Sequence, residues 1–258
     1  MVVISPKNLV KLLEDNLMQE GIDYKKEIQE GDNFSAIERR IQGENFSFRE
    51  HIKGLILALL SSNRPWKPIQ EKLAHIEEIF SGYDSDYIQR TSPKKLTQKI
   101  RKIKCGNKSI SKQMESLSPN IDTLRRIELT YSSLDNFVLS NNLEITAKAI
   151  SDPKSEYKLR QVGFALAIEY LKNVGIDGIK PDRHLLRIGS HERLGLFEEN
   201  MNQTEVSQRF REIAKQASVP IVYLDNLIFF FAAEGYGEIC GAKPKCNNCL
   251  LTDYCNYS

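Results

Sequence analysis

Apolar residues recur at three- and four-residue intervals along almost the whole chain, the period of an amphipathic helix. The pattern predicts helices over 6–21, 48–62, 68–82, 92–103, 123–140, 160–175, 183–195, 202–218 and 220–237. Several open after Pro, Ser or Asn and close at Gly, the residues that punctuate helices. No strand-like alternation flanks a hairpin turn, so the expected fold class is all-α. Two segments are apolar nearly all round, "GLILALL" at 54–60 and "VGFALAIEYL" at 162–171, which suits the middle of a bundle rather than its surface. Residues 27–47 are polar and weakly periodic and read as a linker or short helix.

At 258 residues the chain can bury one large core or two modest ones, without staples. The opening "MVVISPKNLVKLLEDN" lacks a basic stretch followed by an apolar run, so no secretory signal is read there. The run "NLIFFFAA" at 226–233 is too short to span a bilayer. These features lead to the expectation of a cytoplasmic protein with reduced thiols and no membrane partner. The net charge of +2 excludes an extreme basic tail. Residues 94–113, "KKLTQKIRKIKCGNKSISKQ", nevertheless hold eight basic residues and no acidic one, either a solvated helix face or a phosphate-binding stripe.

Four of the five cysteines crowd into "CGAKPKCNNCLLTDYC", with the spacing C-x5-C-x2-C-x5-C through Cys240, Cys246, Cys249 and Cys255. Thiolates three positions apart can turn toward one centre, and the longer gaps let the outer pair close round it. Both zinc and iron–sulfur clusters accept four thiolates. Zinc ribbons usually present two short knuckles; one short gap between two longer ones tilts toward a cubane cluster. Four unrelated buried cysteines would not suit a stretch so rich in Lys, Asn and Pro, and Cys105 is left as an ordinary thiol. His184 and His191 share a helix face but have no third ligand nearby, which favours a surface or core role.

Three further motifs, "LRQVGFALAIEYL", "IKPDRHLLRI" and "LLSSNRPW", join this loop in a resemblance to the helix-hairpin-helix DNA glycosylases of the endonuclease III family. It covers about residues 48–258. The family's C-terminal loop holds a 4Fe-4S cluster on C-x6-C-x2-C-x5-C, and the first gap here is one residue shorter. The family hairpin reads L-P-G-V-G-x-K-x-A. Leu159, Val162 and Gly163 fall on its positions, whereas Arg160 and Gln161 replace the Pro and the first Gly. Backbone amides in such a turn, ahead of a helix N-terminus, can bind a phosphate; without the resemblance, Gly163 could equally just open a core helix.

Asp182 reads on its own as an N-cap for "RHLLRI". The resemblance makes it the catalytic carboxylate, placed to stabilise cationic charge at C1′ or to activate water as a base departs. Members that also nick DNA carry a lysine nucleophile where this chain has Ala165, so the resemblance implies a monofunctional glycosylase. Lys158, Lys172 and Lys180 lie nearby in sequence, and a relocated amine among them is the alternative to that reading. Asn63 falls on the residue that fills the gap left by a flipped-out nucleotide. Arg64 and Trp66 could contact a base, or a phosphate and the core. Lys243 and Lys245 could meet DNA phosphates.

The expected architecture is two-lobed: a six-helix barrel over 47–180, and a second lobe from 1–46 with 181–258 that carries the cluster loop at 240–255. The implied partner of this expected monomer is double-stranded DNA with a flipped-out base. Two other classes stay open: a non-catalytic binder of DNA lesions on the same scaffold, and a zinc-stabilised helical interaction module.

Overall fold

The computed structural model describes residues 3–29 and 31–257. Fifteen α-helices and no strand occur among them. In chain order these are α1 Pro6–Gln19, α2 Tyr24–Gln29, α3 Asp32–Ile41, α4 Phe48–Leu60, α5 Lys67–Gln70, α6 Leu73–Ile79, α7 Ser85–Arg90 and α8 Pro93–Lys102. They continue with α9 Ile110–Tyr131, α10 Leu134–Leu139, α11 Leu143–Ser151, α12 Phe164–Asn173, α13 Arg183–Gly189, α14 Gln203–Ala217 and α15 Ile221–Ala232. The all-α expectation holds. Ala36–Ile176 form one compact unit; the described residues up to Ser35 and from Asp177 onward form the other.

In the 36–176 unit, α4 is the central helix, opened by a reciprocal cap between Ser47 and Glu50 and buried at every position from Gly54 to Leu60. Gly54 lets α4 approach α12 closely: a Cβ there would lie 3.2 Å from side-chain atoms of both Asn173 and Val174, which would have to give by a few tenths of an ångström. Asn173 Nδ2 donates to Gly54 O at 2.9 Å across the same contact. The sequence reading missed α11, capped by Asn142, and placed the helix at 123–140 too late. The helix runs unbroken from Ile110 through Pro119 and stops at Ser132, whose φ of 65° is left-handed. An interior proline costs about 3 kcal/mol, but Met114, Leu117, Ile121 and Leu124 bury a continuous face either side of it. Tertiary burial overrides the local break.

A buried polar chain fixes the start of this unit. Tyr170 Oη lies 2.7 Å from His51 Nδ1, and His51 Nε2 lies 3.2 Å from Asp135 Oδ1. Asp135 also accepts from Arg40 Nη2 at 2.9 Å and from the Phe46 N–H at 2.6 Å. Burial alone would raise the Asp135 pKa, but the bonds from His51, Arg40 and Phe46 outweigh it and hold the carboxyl far below its usual range. Burial lowers the His51 pKa despite Asp135, and raises that of Tyr170. The phenol therefore donates to a neutral imidazole, which donates to the carboxylate. Arg40 also donates to Val174 O at 2.6 Å, tying α3 to the segment after α12.

In the other unit, α1 buries Leu9, Leu13 and Leu17 and packs on α14 and α15. The wholly buried Asn16 accepts from Leu250 N at 3.0 Å, and Glu20 accepts from Asn248 Nδ2 at 3.4 Å. The N-terminal helix thus buttresses the cysteine loop. Pro220 cannot cap α15 with a side chain, so Asp177 accepts from Val222 N at 2.8 Å and from Ile221 N at 3.4 Å. No helix of the described residues is long and apolar enough to cross a membrane.

Candidate active site and cysteine centre

Asp182 caps α13: its Oδ1 accepts from His184 N at 2.8 Å and from Leu185 N at 3.2 Å. The strand of chain leading to it is pinned twice, by Asp177 on the head of α15 and by Asp225, which accepts from Lys180 N at 3.2 Å. Asp182 N donates to Lys180 O at 2.7 Å, closing a tight turn. A half-buried carboxylate results, fixed through one oxygen. His184 is buried edge-on against Phe229, and burial lowers its pKa in spite of Asp182. Its Nδ1 faces Arg187 Nη2 at 3.2 Å, and Arg187 Nε donates to Cys240 O at 3.0 Å. Arg187 therefore ties the helix that Asp182 caps to the cysteine loop.

The hairpin lies in the other unit. Gln161 adopts φ 62°, the left-handed conformation that a glycine would take most easily, so the turn forms without the first glycine of the family pattern. Arg160, in place of proline, has an N–H to satisfy. Asn120, wholly buried on α9, accepts it at 2.6 Å and donates from Nδ2 to Arg160 O at 3.0 Å. Leu159 and Val162 are buried and anchor the turn. Lys158 donates its ammonium to Val162 O, and burial lowers its pKa. Gly163 is the exposed N-cap of α12, with an ordinary φ of −87° and no side-chain cap. A Cβ there would meet nothing within 4 Å. Neither backbone conformation nor internal packing requires that glycine.

Asn63 is exposed, with φ 51°. Arg64 instead turns back along the protein: Nη2 donates to Lys104 O at 2.9 Å while Nε and Nη1 are buried. Trp66 packs against the core of its unit. In the basic stretch, Leu96 and Ile100 are buried and seven of the eight basic side chains are exposed; Lys99 bonds Tyr87 Oη at 3.0 Å. Lys243 is exposed, whereas Lys245 reaches Gly237 O at 3.0 Å and lies 3.8 Å from Glu20.

Cys240, Cys246, Cys249 and Cys255 line one small cavity together with Arg193, Ile239, Pro244, Thr252 and Tyr257. None of the four forms a disulfide. Burial pushes the Cys249 thiol up to about 11 and raises Cys240, which Arg193 and Arg187 partly oppose. Among the described residues no group of three or more His, Cys, Asp or Glu is arranged to hold a metal ion directly, His184 and His191 included. The features sequence reasoning missed are Asn120, Asp177, Asp225 and Arg193. Each acts across a long sequence separation, and no local signal marks it.

No protein-family model matches the chain. No curated protein sequence matches it either. Solved structures do match. The 8-oxoguanine DNA glycosylase of Thermotoga maritima aligns with a TM-score of 0.61 at 18% identity, over 88% of this chain and 96% of that one. Endonuclease III, trapped as a covalent intermediate with DNA, gives 0.58 at 16% identity over 99% and 97%. The 8-oxoguanine DNA glycosylase of Methanocaldococcus jannaschii gives 0.57 at 17% identity over 87% and 94%. At these identities the likeness defines the fold. The chain has the all-helical fold of the helix-hairpin-helix DNA glycosylases.

Proposed function

We propose that the protein is a DNA glycosylase that hydrolyses the N-glycosidic bond of a damaged, mismatched or modified base and leaves an abasic site. The observation that carries this reading is Asp182, a carboxylate fixed at the head of α13 in a chain with the glycosylase fold. Loss of a base leaves positive charge at the sugar C1′, and a preorganised carboxylate stabilises that charge or takes a proton from the attacking water. Holding Oδ1 with two backbone amides keeps Asp182 in place without help from substrate.

DNA is held by the hairpin and by the exposed bases of the 94–113 stretch, with Asn63 filling the gap left by the flipped nucleotide. Support for the hairpin contact comes from Gly163, a helix cap that leaves the first-turn amides without a side-chain acceptor. Arg64, bonded to Lys104 O, positions the loop that carries Asn63. Endonuclease III forms a covalent intermediate with DNA. Such chemistry needs an amine, and this chain has Ala165 at the position the family motif gives to lysine. Water is therefore the nucleophile.

Cys240, Cys246, Cys249 and Cys255 are the residues that would hold a 4Fe-4S cluster. The fit is supported by four unbridged thiols lining one cavity, which among the described residues no His, Asp or Glu side chain shares, and by the buried Arg193 beside them. When bound, the cluster supplies four metal–sulfur links that close the loop. Through Arg187 and the Cys240 carbonyl, that closure steadies α13.

The test is a panel of duplexes carrying oxidised, deaminated, mismatched and alkylated bases, read with and without alkali. Cleavage that needs alkali is expected for at least one duplex. Strand breaks without alkali, or a borohydride-trapped covalent complex, would overturn the monofunctional reading. Tight binding to an abasic analogue with no base released would favour a non-catalytic lesion binder.

A further inference from the structure

Arg193 is the buried cation of the cysteine centre. Its residue is 7% exposed, it lines the cavity shared by the four cysteines, and its Nε and Nη1 are buried with no hydrogen-bond partner among the described residues. Leaving charged donors unsatisfied in the interior is costly, and native proteins seldom do so without a ligand. The guanidinium is held in place rather than caught there. Tyr257 stacks on it, with 3.3 Å from the guanidinium carbon to the ring centroid, and covers it from solvent. The next residue back, Asn256, fixes that ring's position by donating N–H to Arg193 O at 2.8 Å and Nδ2 to His191 O at 2.5 Å. Ser190 O accepts the Arg193 N–H at 3.0 Å. Among the described residues no Asp or Glu side chain lines the cavity.

From this geometry we infer that Arg193 is a positioning and tuning residue of the cysteine centre, its Nε and Nη1 donating hydrogen bonds to the sulfurs of the anionic group that the four thiolates hold. The inference rests on the iron–sulfur reading of that site. Charge and hydrogen bonds at the sulfurs set the reduction potential of such clusters. A cation stabilises the more negative, reduced state, so Arg193 raises the potential. Its covered donors also hold the centre together against oxidative loss. Tyr257 shields the guanidinium, which weakens screening and strengthens the effect.

Three measurements on the full chain test this: iron and acid-labile sulfide per chain, the midpoint potential by film voltammetry, and the rate at which the visible absorbance bleaches in air. The comparison is wild type against Arg193→Gln and Arg193→Lys. Wild type is expected to contain iron and sulfide. Arg193→Gln is expected to shift the midpoint downward by at least a tenfold change in the one-electron equilibrium, ~59 mV, and to bleach several-fold faster. Arg193→Lys keeps the charge without the planar fork of donors and is expected to fall between the two. Where Arg193→Gln does not fold, Arg193→Lys carries the test. Variants with intact clusters and unchanged midpoint and bleaching would overturn the role of Arg193 and leave the cluster standing. Zinc without sulfide in the wild type would overturn the cluster reading and this inference with it.

Discussion

Gly163→Asp separates folding from DNA binding because the two respond in opposite directions. The position is an exposed helix cap with extended backbone, and a Cβ there meets nothing within 4 Å. Aspartate is among the best N-cap residues, gaining a few tenths of a kcal/mol over glycine, and its charge opposes the helix dipole favourably by ~0.3–1 kcal/mol. The net expectation is a fold stabilised by about 0.5–1 kcal/mol. If the amides of the first turn of α12 bind a phosphate, the new carboxylate takes that place. Losing one charge-assisted hydrogen bond costs about 1.5–3 kcal/mol, which is roughly 10- to 100-fold in affinity, before like-charge repulsion is counted. Urea denaturation reads the first effect, and fluorescence anisotropy with an abasic-analogue duplex across a salt series reads the second. One phosphate contact fewer should also reduce the slope of log affinity against log salt by ~0.9. A more stable protein with wild-type affinity and an unchanged slope would refute the hairpin contact. A protein destabilised by more than about 1 kcal/mol would refute the reading of Gly163 as structurally dispensable.

Other residues give independent tests. Asn120→Ala removes both bonds to Arg160 and leaves two backbone groups unsatisfied, an expected cost of about 2–4 kcal/mol in urea unfolding; a loss under 0.5 kcal/mol would mean that the hairpin does not depend on this clamp. The lowered pKa of His51 makes stability depend on pH in a defined direction. The fold keeps its imidazole neutral while the unfolded chain takes up a proton below about pH 6.5, so stability should fall below that pH by up to ~1.4 kcal/mol per unit. Urea unfolding from pH 7 to 5 should show a shallower fall in His51→Gln, with buried His184 supplying the remaining slope; equal slopes in both proteins would contradict the assignment.

Much of the fold was legible because its signals are local. The helical period and the all-round apolar faces of α4 and α12 are encoded within a dozen residues. The failures share a cause in long-range packing. The helix at 123–140 is placed too late because the buried face on both sides of Pro119 is set by tertiary packing. Gln161 reads as a defect in the hairpin until its left-handed φ and the Asn120 clamp 40 residues away are seen. For the site, Asp182 as a cap and the cysteine spacing were readable, but Asp177, Asp225 and Arg193 serve partners distant in sequence. The charge of Arg64 is visible in the sequence, whereas its bond to Lys104 O is not.

The measurement that bears most directly on the account is single-turnover base release by Asp182→Asn on whichever duplex the wild type cleaves. Asparagine caps a helix as well as aspartate, so the α13 cap and the thermal midpoint should survive while the negative charge is lost. Wild-type DNA affinity, an unchanged melting temperature and a base-release rate at least 100-fold lower are expected, the scale on which acid–base and electrostatic groups act. Release at the wild-type rate from a folded, DNA-binding variant would contradict the account.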